Sequence, residues 1–537
     1  MYDLQLTESF VPAQTDDTIL ETTIGGILRD IAGRHADRPA LLEITEDGQK
    51  ARKWNYGQLL ADSERLALAL STRYRPGERV TVWAPNVPEW VLMEYGCALS
   101  GITLVTANPS YQAKELRYVL EQSGSAGLFI VQSYRGNPMG DIARKATEGL
   151  DTIREVVDLE DHDALYRTGD RKPELPEVTP DDEAQIQYTS GTTGFPKGAM
   201  LHHRGLTNNA RMLAARARIP DGSCWINFLP MFHTSGCGLI TLGILQVGGC
   251  MPLVKLFDPE VILGLIESEK AVVFGGVPTM MIAMLEVLER KSFDLSSVKV
   301  AVSGGALVSP ELVRLVRDRV GCGFQTVYGQ TECSSVVTQH HDSDTIEDIC
   351  HTVGQPLPQT EISIRSVGDN AVVAIGEQGE ICIRGYCTMI GYNGNPEATA
   401  ATIDADCWLH SGDLGTMDSR GYVSITGRVK EMIIRGGENM FPAEIENVLL
   451  EHESVAEVAV VGLPDEKWGE VVAAFVRPAT GFEVDPEILR GHCRDHISPQ
   501  KTPTVWFAVS AFPLTGSGKV QKFALRDGYR AGEFTPL

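Results

Sequence analysis

The sequence predicts an α/β fold: a large N-terminal domain with mainly parallel sheets flanked by helices, then a small α+β C-terminal domain. Three observations predict it. Apolar runs of strand length alternate with segments of helical periodicity over most of the chain. A Gly- and Thr-rich loop carrying a lysine breaks the alternation at 188–199. Near residue 428 the pattern changes, and a Gly-Gly pair followed by a proline-led helix opens a segment of its own style.

Taken in order, residues 77–83 read as a strand. Leu116, Val119 and Leu120 recur at helical spacing after the Asn108-Pro109-Ser110 turn, and 127–131 read as a buried strand. Residues 170–183, rich in Pro, Glu and Asp, make a surface connection into the Gly/Thr loop. Strands follow at 271–274 and 298–302, with a helix opening after Pro278 between them. Past the change of pattern, Gly427-Arg-Val-Lys-Glu-Met-Ile-Ile-Arg435 leads into Gly436-Gly437. Pro442 starts a helix carrying Glu444, Ile445, Val448 and Leu449, and 455–461 read as a strand. What remains is long enough for a small domain, so the expected domains are 1–429 and 430–537, divided at Lys430.

Composition narrows the function. At 537 residues the chain holds two or more domains. Its 71 acidic residues outweigh 47 basic ones for a net charge of −24, which argues against nucleic acid or anionic lipid as a general partner. Eleven cysteines include no CxxC pair and no Cys/His cluster at zinc spacing, so they read as scattered thiols of a reducing compartment. The acidic N-terminus lacks a signal pattern, and the uncharged stretch 234–254, with five glycines, reads as buried core rather than a membrane span. The expected location is cytoplasmic. His452-Glu453 begins a zincin-like pattern that Ala456 breaks, and His202-His203 and His340-His341 lack metal-like partners.

The loop itself, Tyr188-Thr-Ser-Gly-Thr-Thr-Gly-Phe-Pro-Lys-Gly-Ala199, has the make-up of a triphosphate cradle. Glycines let backbone N–H groups approach an anion, hydroxyls add donors, and Lys197 supplies a compact positive charge. Its spacing is not that of a Walker loop, which argues against a P-loop ATPase or kinase releasing ADP.

Further motifs follow in order: Phe232-His-Thr-Ser-Gly236, Tyr328-Gly-Gln-Thr-Glu332, Ser411-Gly-Asp-Leu-Gly415, Gly427-Arg428 and Pro513-Leu-Thr-Gly-Ser-Gly-Lys519. With the loop, this ordered set from 188 to 519 resembles the adenylate-forming superfamily of acyl-CoA synthetases, luciferases and nonribosomal adenylation domains. The resemblance implies an AMP-forming acid–thiol ligase. A carboxylate attacks the α-phosphate of ATP to give acyl-adenylate and pyrophosphate, and a thiol then takes the acyl group. AMP leaves readily where oxide would not, and the barrier falls through in-line positioning and charge neutralisation at phosphate.

By the same resemblance, Thr189, Ser190, Gly191, Thr192, Thr193 and Lys197 hold the β- and γ-phosphates, and Thr331 the α-phosphate. Glu332 binds Mg²⁺, a hard cation suited to carboxylate oxygen. Tyr328 stacks on adenine, Gly304, Gly305 and Ala306 pass along the base edge, and Asp413 accepts the ribose hydroxyls with Arg428 beside it. Lys519 stabilises the adenylation transition state. Between the steps the small domain rotates about a hinge at Lys430, withdrawing Lys519 and bringing Gly436 and Gly437 to a pantetheine passage. His233 then gates the acyl pocket, although a lone histidine is otherwise read as a core residue.

None of the named positions is lost, which argues against a binding protein that merely retains the nucleotide site. The implied partners are ATP, CoA and a carboxylic acid, with a second copy of the chain as a candidate and no nucleic acid or integral membrane segment. Phe232-His-Thr-Ser-Gly-Cys-Gly238 carries no carboxylate to pair an ammonium, so an amino acid is disfavoured. The acyl pocket is expected around 233–238, 301–305 and 328–334, where Cys237, Val302, Ser303 and Gly304 are small or apolar, with Val336 close by. The methionines of 278–284 are candidates to add flexible side chains to that pocket, with core packing the leading reading. A medium-chain fatty acid is the leading substrate. Aryl, alicyclic or steroid-type acids follow, with an acyl-AMP ligase loading a carrier protein as the further alternative.

Overall fold

The computed structural model describes residues 1–189, 196–306, 308–435, 438–465, 467–513 and 520–537. Their strands form five sheets. The widest has seven strands, and its middle is parallel: Glu183–Thr189, Thr103–Thr106, Arg79–Trp83, Gly127–Ile130 and Glu155–Asp158 lie side by side. Strands of this kind are covered on both faces, and accordingly every residue of the central three but Arg79 is buried. Lys197–His202 folds back antiparallel on Glu183–Thr189 in a register that closes at Thr189 opposite Lys197. Gly391–Tyr392 adds to the outer edge of this pair, on Lys197–His202.

A second sheet places Val273–Gly276, Val300–Gly304 and Gly323–Tyr328 in parallel, then adds Thr338–Gln339 and Gln355–Pro356 antiparallel. Its crossover helices, Pro278–Leu288 and Pro310–Val320, both start on proline, whose fixed φ suits the first turn. Ser309 caps the second by accepting a bond from the Leu312 N–H at 3.2 Å. Met281 and Met284 are buried in the core beneath this sheet, as core packing requires. A small third sheet pairs Met251–Val254, Pro39–Ile44 and Lys50–Asn55.

The fourth sheet departs from the expected parallel emphasis. Phe10–Val11, Thr360–Arg365, Gly379–Gly385, Leu409–Met417 and Val423–Arg428 are antiparallel throughout. No helix separates Thr360–Arg365 from Gly379–Gly385, and without a crossover such neighbours pair antiparallel. The α/β class holds, with a larger antiparallel share than the alternating pattern signalled.

Val429–Glu431 is a single 3₁₀ turn, after which Ile433–Arg435, Glu438–Met440, Val455–Asp465, Gly469–Pro478 and Val505–Ala508 make the fifth sheet. Side chains alternate between its faces and feed two cores. Ile445, Leu449, Leu489 and Cys493 cover one face from the helices Pro442–Leu450 and Pro486–His496. Phe507, Phe512 and Leu525 cover the other, where Phe475 and Phe507 stack at 4.4 Å. The stretch 234–254 is mostly buried, as expected, with only Ser235, Gln246, Val247 and Cys250 half-buried. Among the described residues no helix is long and apolar enough to cross a membrane.

Candidate active site

Gly323–Tyr328 delivers Tyr328 at its C-terminal end, the edge where open parallel sheets carry their sites. The phenol donates to Asp413 Oδ2 at 2.9 Å, and Arg428 Nε lies 2.9 Å from Asp413 Oδ1. Asp413 and Arg428 are cross-strand register partners. Asp413 owes its aim to a bulge: Glu380 faces Leu414 and Cys382 faces His410, so Ser411, Gly412 and Asp413 stand against Ile381 alone and their strand carries two extra residues. The bulge is tied down by its own N–H groups. That of Gly412 donates to Glu380 Oε1 at 2.9 Å, and that of Asp413 to Ser411 Oγ at 3.0 Å. Burial, reinforced by the Asp413 charge, pushes the Tyr328 phenol well above its ordinary value, so it stays a donor. Gly304, Gly305 and Ala306 leave the sheet next to Tyr328's own strand. A Cβ on Gly304 would stand 2.6 Å from Val327 Cγ2, so the close strand approach demands glycine.

Thr331 and Glu332 sit in a short 3₁₀ turn, Thr331–Cys333, beyond Tyr328. Ser334 and Ser335 follow at φ 59° and 128°, two successive residues in strained backbone of the kind that clusters at working sites. Glu332 is buried, and its Oε1 accepts the Tyr392 hydroxyl at 2.7 Å and the Thr189 hydroxyl at 3.4 Å. Lys197 Nζ stands 4.7 Å from the centre of the Tyr392 ring. Tyr392 thus links Glu332 to Lys197, and burial with Glu332 beside it pushes the phenol up.

His233 is exposed, which sets aside the core-residue reading. Its Nδ1 accepts the Ser235 N–H at 3.2 Å. The chain then enters a π-helical turn, Ser235–Thr241, a rare element frequent at functional sites. Beneath that turn runs a buried polar chain. Glu94 Oε1 accepts Gln185 Nε2 at 2.8 Å, and Gln187 Nε2 donates to Gln185 Oε1 at 2.8 Å and to Cys237 Sγ at 3.1 Å. Burial raises the Glu94 carboxyl well above the usual range.

The structure therefore brings Tyr328, Asp413 and Arg428 together, and gathers Thr189, Lys197 and Glu332 around Tyr392. Ser190, Gly191, Thr192, Thr193, Gly436, Gly437 and Lys519 lie outside the described residues. Cys237, Val302, Ser303 and Val336, the expected pocket residues, are buried. The paired histidines serve the fold: His202 Nδ1 accepts the Gly205 N–H at 2.8 Å as a helix cap, and His203 and His340 are fully buried. Sequence reasoning missed Tyr392, Glu380 and Glu94. Each meets its partner only through tertiary pairing, and no spacing announces it.

The sequence pattern of AMP-binding enzymes matches residues 28–393, and that of the AMP-binding enzyme C-terminal domain matches 444–519. The chain belongs to this adenylate-forming enzyme family. It is 36% identical to YngI of Bacillus subtilis (strain 168), provisionally an acyl-CoA synthetase, over 95% of this chain and 97% of the relative. It is 33% identical to the human mitochondrial medium-chain acyl-CoA ligase ACSF2, covering 97% and 89% respectively. A (7a-methyl-1,5-dioxo-octahydro-1H-inden-4-yl)propanoyl:CoA ligase of Rhodococcus jostii (strain RHA1) is 35% identical, covering 90% and 96%. Among solved structures, o-succinylbenzoate CoA synthetase from Bacillus subtilis with ATP and magnesium ion superposes with a TM-score of 0.81 at 27% identity, covering 95% of this chain and 100% of that one. The protein is an AMP-forming acyl-CoA ligase.

Proposed function

We propose that this ligase activates a hydrophobic carboxylic acid, with medium-chain fatty acids as the leading class, and transfers the acyl group from its adenylate to CoA. The observation that carries the nucleotide half is the buried Asp413 carboxylate, held by Tyr328 and Arg428 on separate oxygens. In this reading it accepts the ribose hydroxyls while Tyr328 and the 304–306 segment bracket adenine. Thr189, Ser190, Gly191, Thr192, Thr193 and Lys197 take the outer phosphates, and Thr331 the α-phosphate. Holding the phosphorus and the incoming carboxylate in line is the main task of these residues.

Mg²⁺ fits the residues at Glu332. A buried carboxylate with hydroxyl neighbours is a hard oxygen environment, and the hydrogen bonds among the described residues fall on Oε1. Bound there, the ion would neutralise phosphate charge.

Lys519 and the glycines at 436–437 take their roles by a rotation at Lys430, the division between the two domains in this reading. Support comes from the chain on either side. Lys430 lies in the single 3₁₀ turn, and Lys522 Nζ stands 2.8 Å from Glu431 Oε2 and 2.8 Å from Glu446 Oε1. The segment just after Lys519 is thereby tethered to the residue just after the hinge. In this reading His233 gates acid and thiol, and its exposure at the head of the π turn supports that role.

The medium-chain reading is supported by the human relative. A second reading, a bicyclic or aryl acid, is supported by the Rhodococcus relative. A pyrophosphate-release assay over straight-chain, aryl and polycyclic acids, with and without CoA, tests both. Medium-chain acids should give the highest kcat/KM together with a CoA-dependent thioester. A polycyclic acid winning by tenfold overturns the chain-length reading, and pyrophosphate without thioester points to a carrier-protein acceptor.

A further inference from the structure

Three metal-binding atoms converge at the foot of the bulge that carries Asp413. Glu380 and Cys382 are two apart on Gly379–Gly385 and so share a sheet face, and His410 lies directly opposite Cys382 on Leu409–Met417. His410 Nδ1 is 2.8 Å from Glu380 Oε2 and 3.5 Å from Cys382 Sγ. The next residue in the same row is Ser363, opposite Cys382 on the other side. Its hydroxyl is fully buried and has no hydrogen-bond partner among the described residues. The sequence concealed the cluster because its donors come from two strands 28 residues apart, not from a local cysteine spacing.

We propose that Glu380, Cys382 and His410 bind one Zn²⁺, distinct from the Mg²⁺ assigned to Glu332. Thiolate, imidazole and carboxylate form a donor set that suits zinc and disfavours magnesium. Tetrahedral ligands at roughly 2.0–2.3 Å lie about 3.3–3.7 Å from one another. The sulfur–nitrogen distance already matches, and the nitrogen–oxygen pair, now sharing a proton, opens by about half an ångström when the ion replaces it. A second carboxylate stands behind the ring: Asp404 Oδ2 is 3.5 Å from His410 Nε2. Such a partner fixes the tautomer that leaves Nδ1 free to ligate. Binding moves the ring proton to Nε2 and releases the Cys382 thiol proton. Burial, with the Glu380 and Asp404 charges, pushes the Cys382 thiol up and Arg365 pulls it down, so the ion has to displace that proton. Ser363 Oγ or water completes the fourth position. Because Glu380 Oε1 stays on the Gly412 N–H, the ion cross-links both strands beneath the turn that aims Asp413.

The test titrates metal-stripped full-length protein with Co²⁺. A thiolate-to-metal charge-transfer band should saturate at one equivalent, yield to Zn²⁺, ignore Mg²⁺ and vanish in Cys382→Ser. Among the described residues the other metal-like cluster, Glu451, His492 and His496, contains no sulfur and gives no such band. Zn²⁺ should also raise the thermal midpoint of the wild type and leave that of Cys382→Ser unmoved, with pyrophosphate release showing that the variant folds. Absence of the band, or its persistence in Cys382→Ser, overturns the proposal.

Discussion

Tyr328 and Asp413 meet at 2.9 Å from two different sheets, one at the end of a parallel strand and the other in the bulge of an antiparallel one. The pair is the bolt between the two layers at the nucleotide side. Tyr328→Phe keeps the ring but removes the bond to a charged oxygen, a loss of about 1.5–3 kcal/mol, or roughly ten- to a hundredfold. Steady-state kinetics should show it as a raised KM for ATP with a smaller change in kcat. A drop confined to kcat would place Tyr328 in the chemical step instead.

Tyr392→Phe should loosen Glu332 without touching the acid site. Mg²⁺ titrations of pyrophosphate release are expected to shift several-fold to higher metal, with the acid KM unchanged. An identical Mg²⁺ curve would mean that the 2.7 Å bond to Glu332 is structural only.

Stability should fall at both ends of the pH scale, for opposite reasons. Burial lowers His203 to about 4, below its ordinary 6.5. As pH drops through that window the unfolded chain gains a proton that the folded one refuses, and about 3 kcal/mol is lost. His203→Gln should flatten this limb in denaturant titrations run across pH. Glu94 works the other way: its folded form holds the proton, so stability is lost as pH climbs above about 4.5. Glu94→Gln should therefore gain on wild type toward neutral pH, and an equal pH slope in both proteins would show that Glu94 is ionised in place.

Gly236→Ala should cost more than a surface substitution. Its Cβ would stand 2.3 Å from the Pro230 carbonyl oxygen, backbone that cannot swing aside. A penalty of about 1–3 kcal/mol is expected, with thioester formation impaired because His233 loses its support. Wild-type stability and kinetics would show that the π turn tolerates repacking.

How much of this was legible follows from range. The Gly/Thr loop, the helix-opening prolines and the motif glycines act within a few residues, so their chemistry is readable along the chain. The pairing of Asp413 with Arg428 was anticipated as proximity only; its cross-strand register emerges with the sheet. Tyr392 lies 60 residues from Glu332 and Glu94 lies 91 from Gln185, and nothing local specifies such meetings. The wholly antiparallel sheet was hidden for the same reason: strand partners are chosen by tertiary packing, and propensity is silent on direction.

Phe10 and Val11 pair with Ser363 and Ile362, and the Tyr2 N–H donates to Gln355 Oε1 at 2.8 Å. On a ribosome moving at about 5–20 residues per second, that edge strand waits roughly 20–70 s for its partner to be made. The first dozen residues must remain uncommitted while the parallel sheet behind them assembles, so the antiparallel layer is the last part of the large domain that translation permits to close. Slow translation over the middle of the message would lengthen that wait, and a bulky fusion ahead of Tyr2 would burden the closing step rather than the nucleotide-binding core.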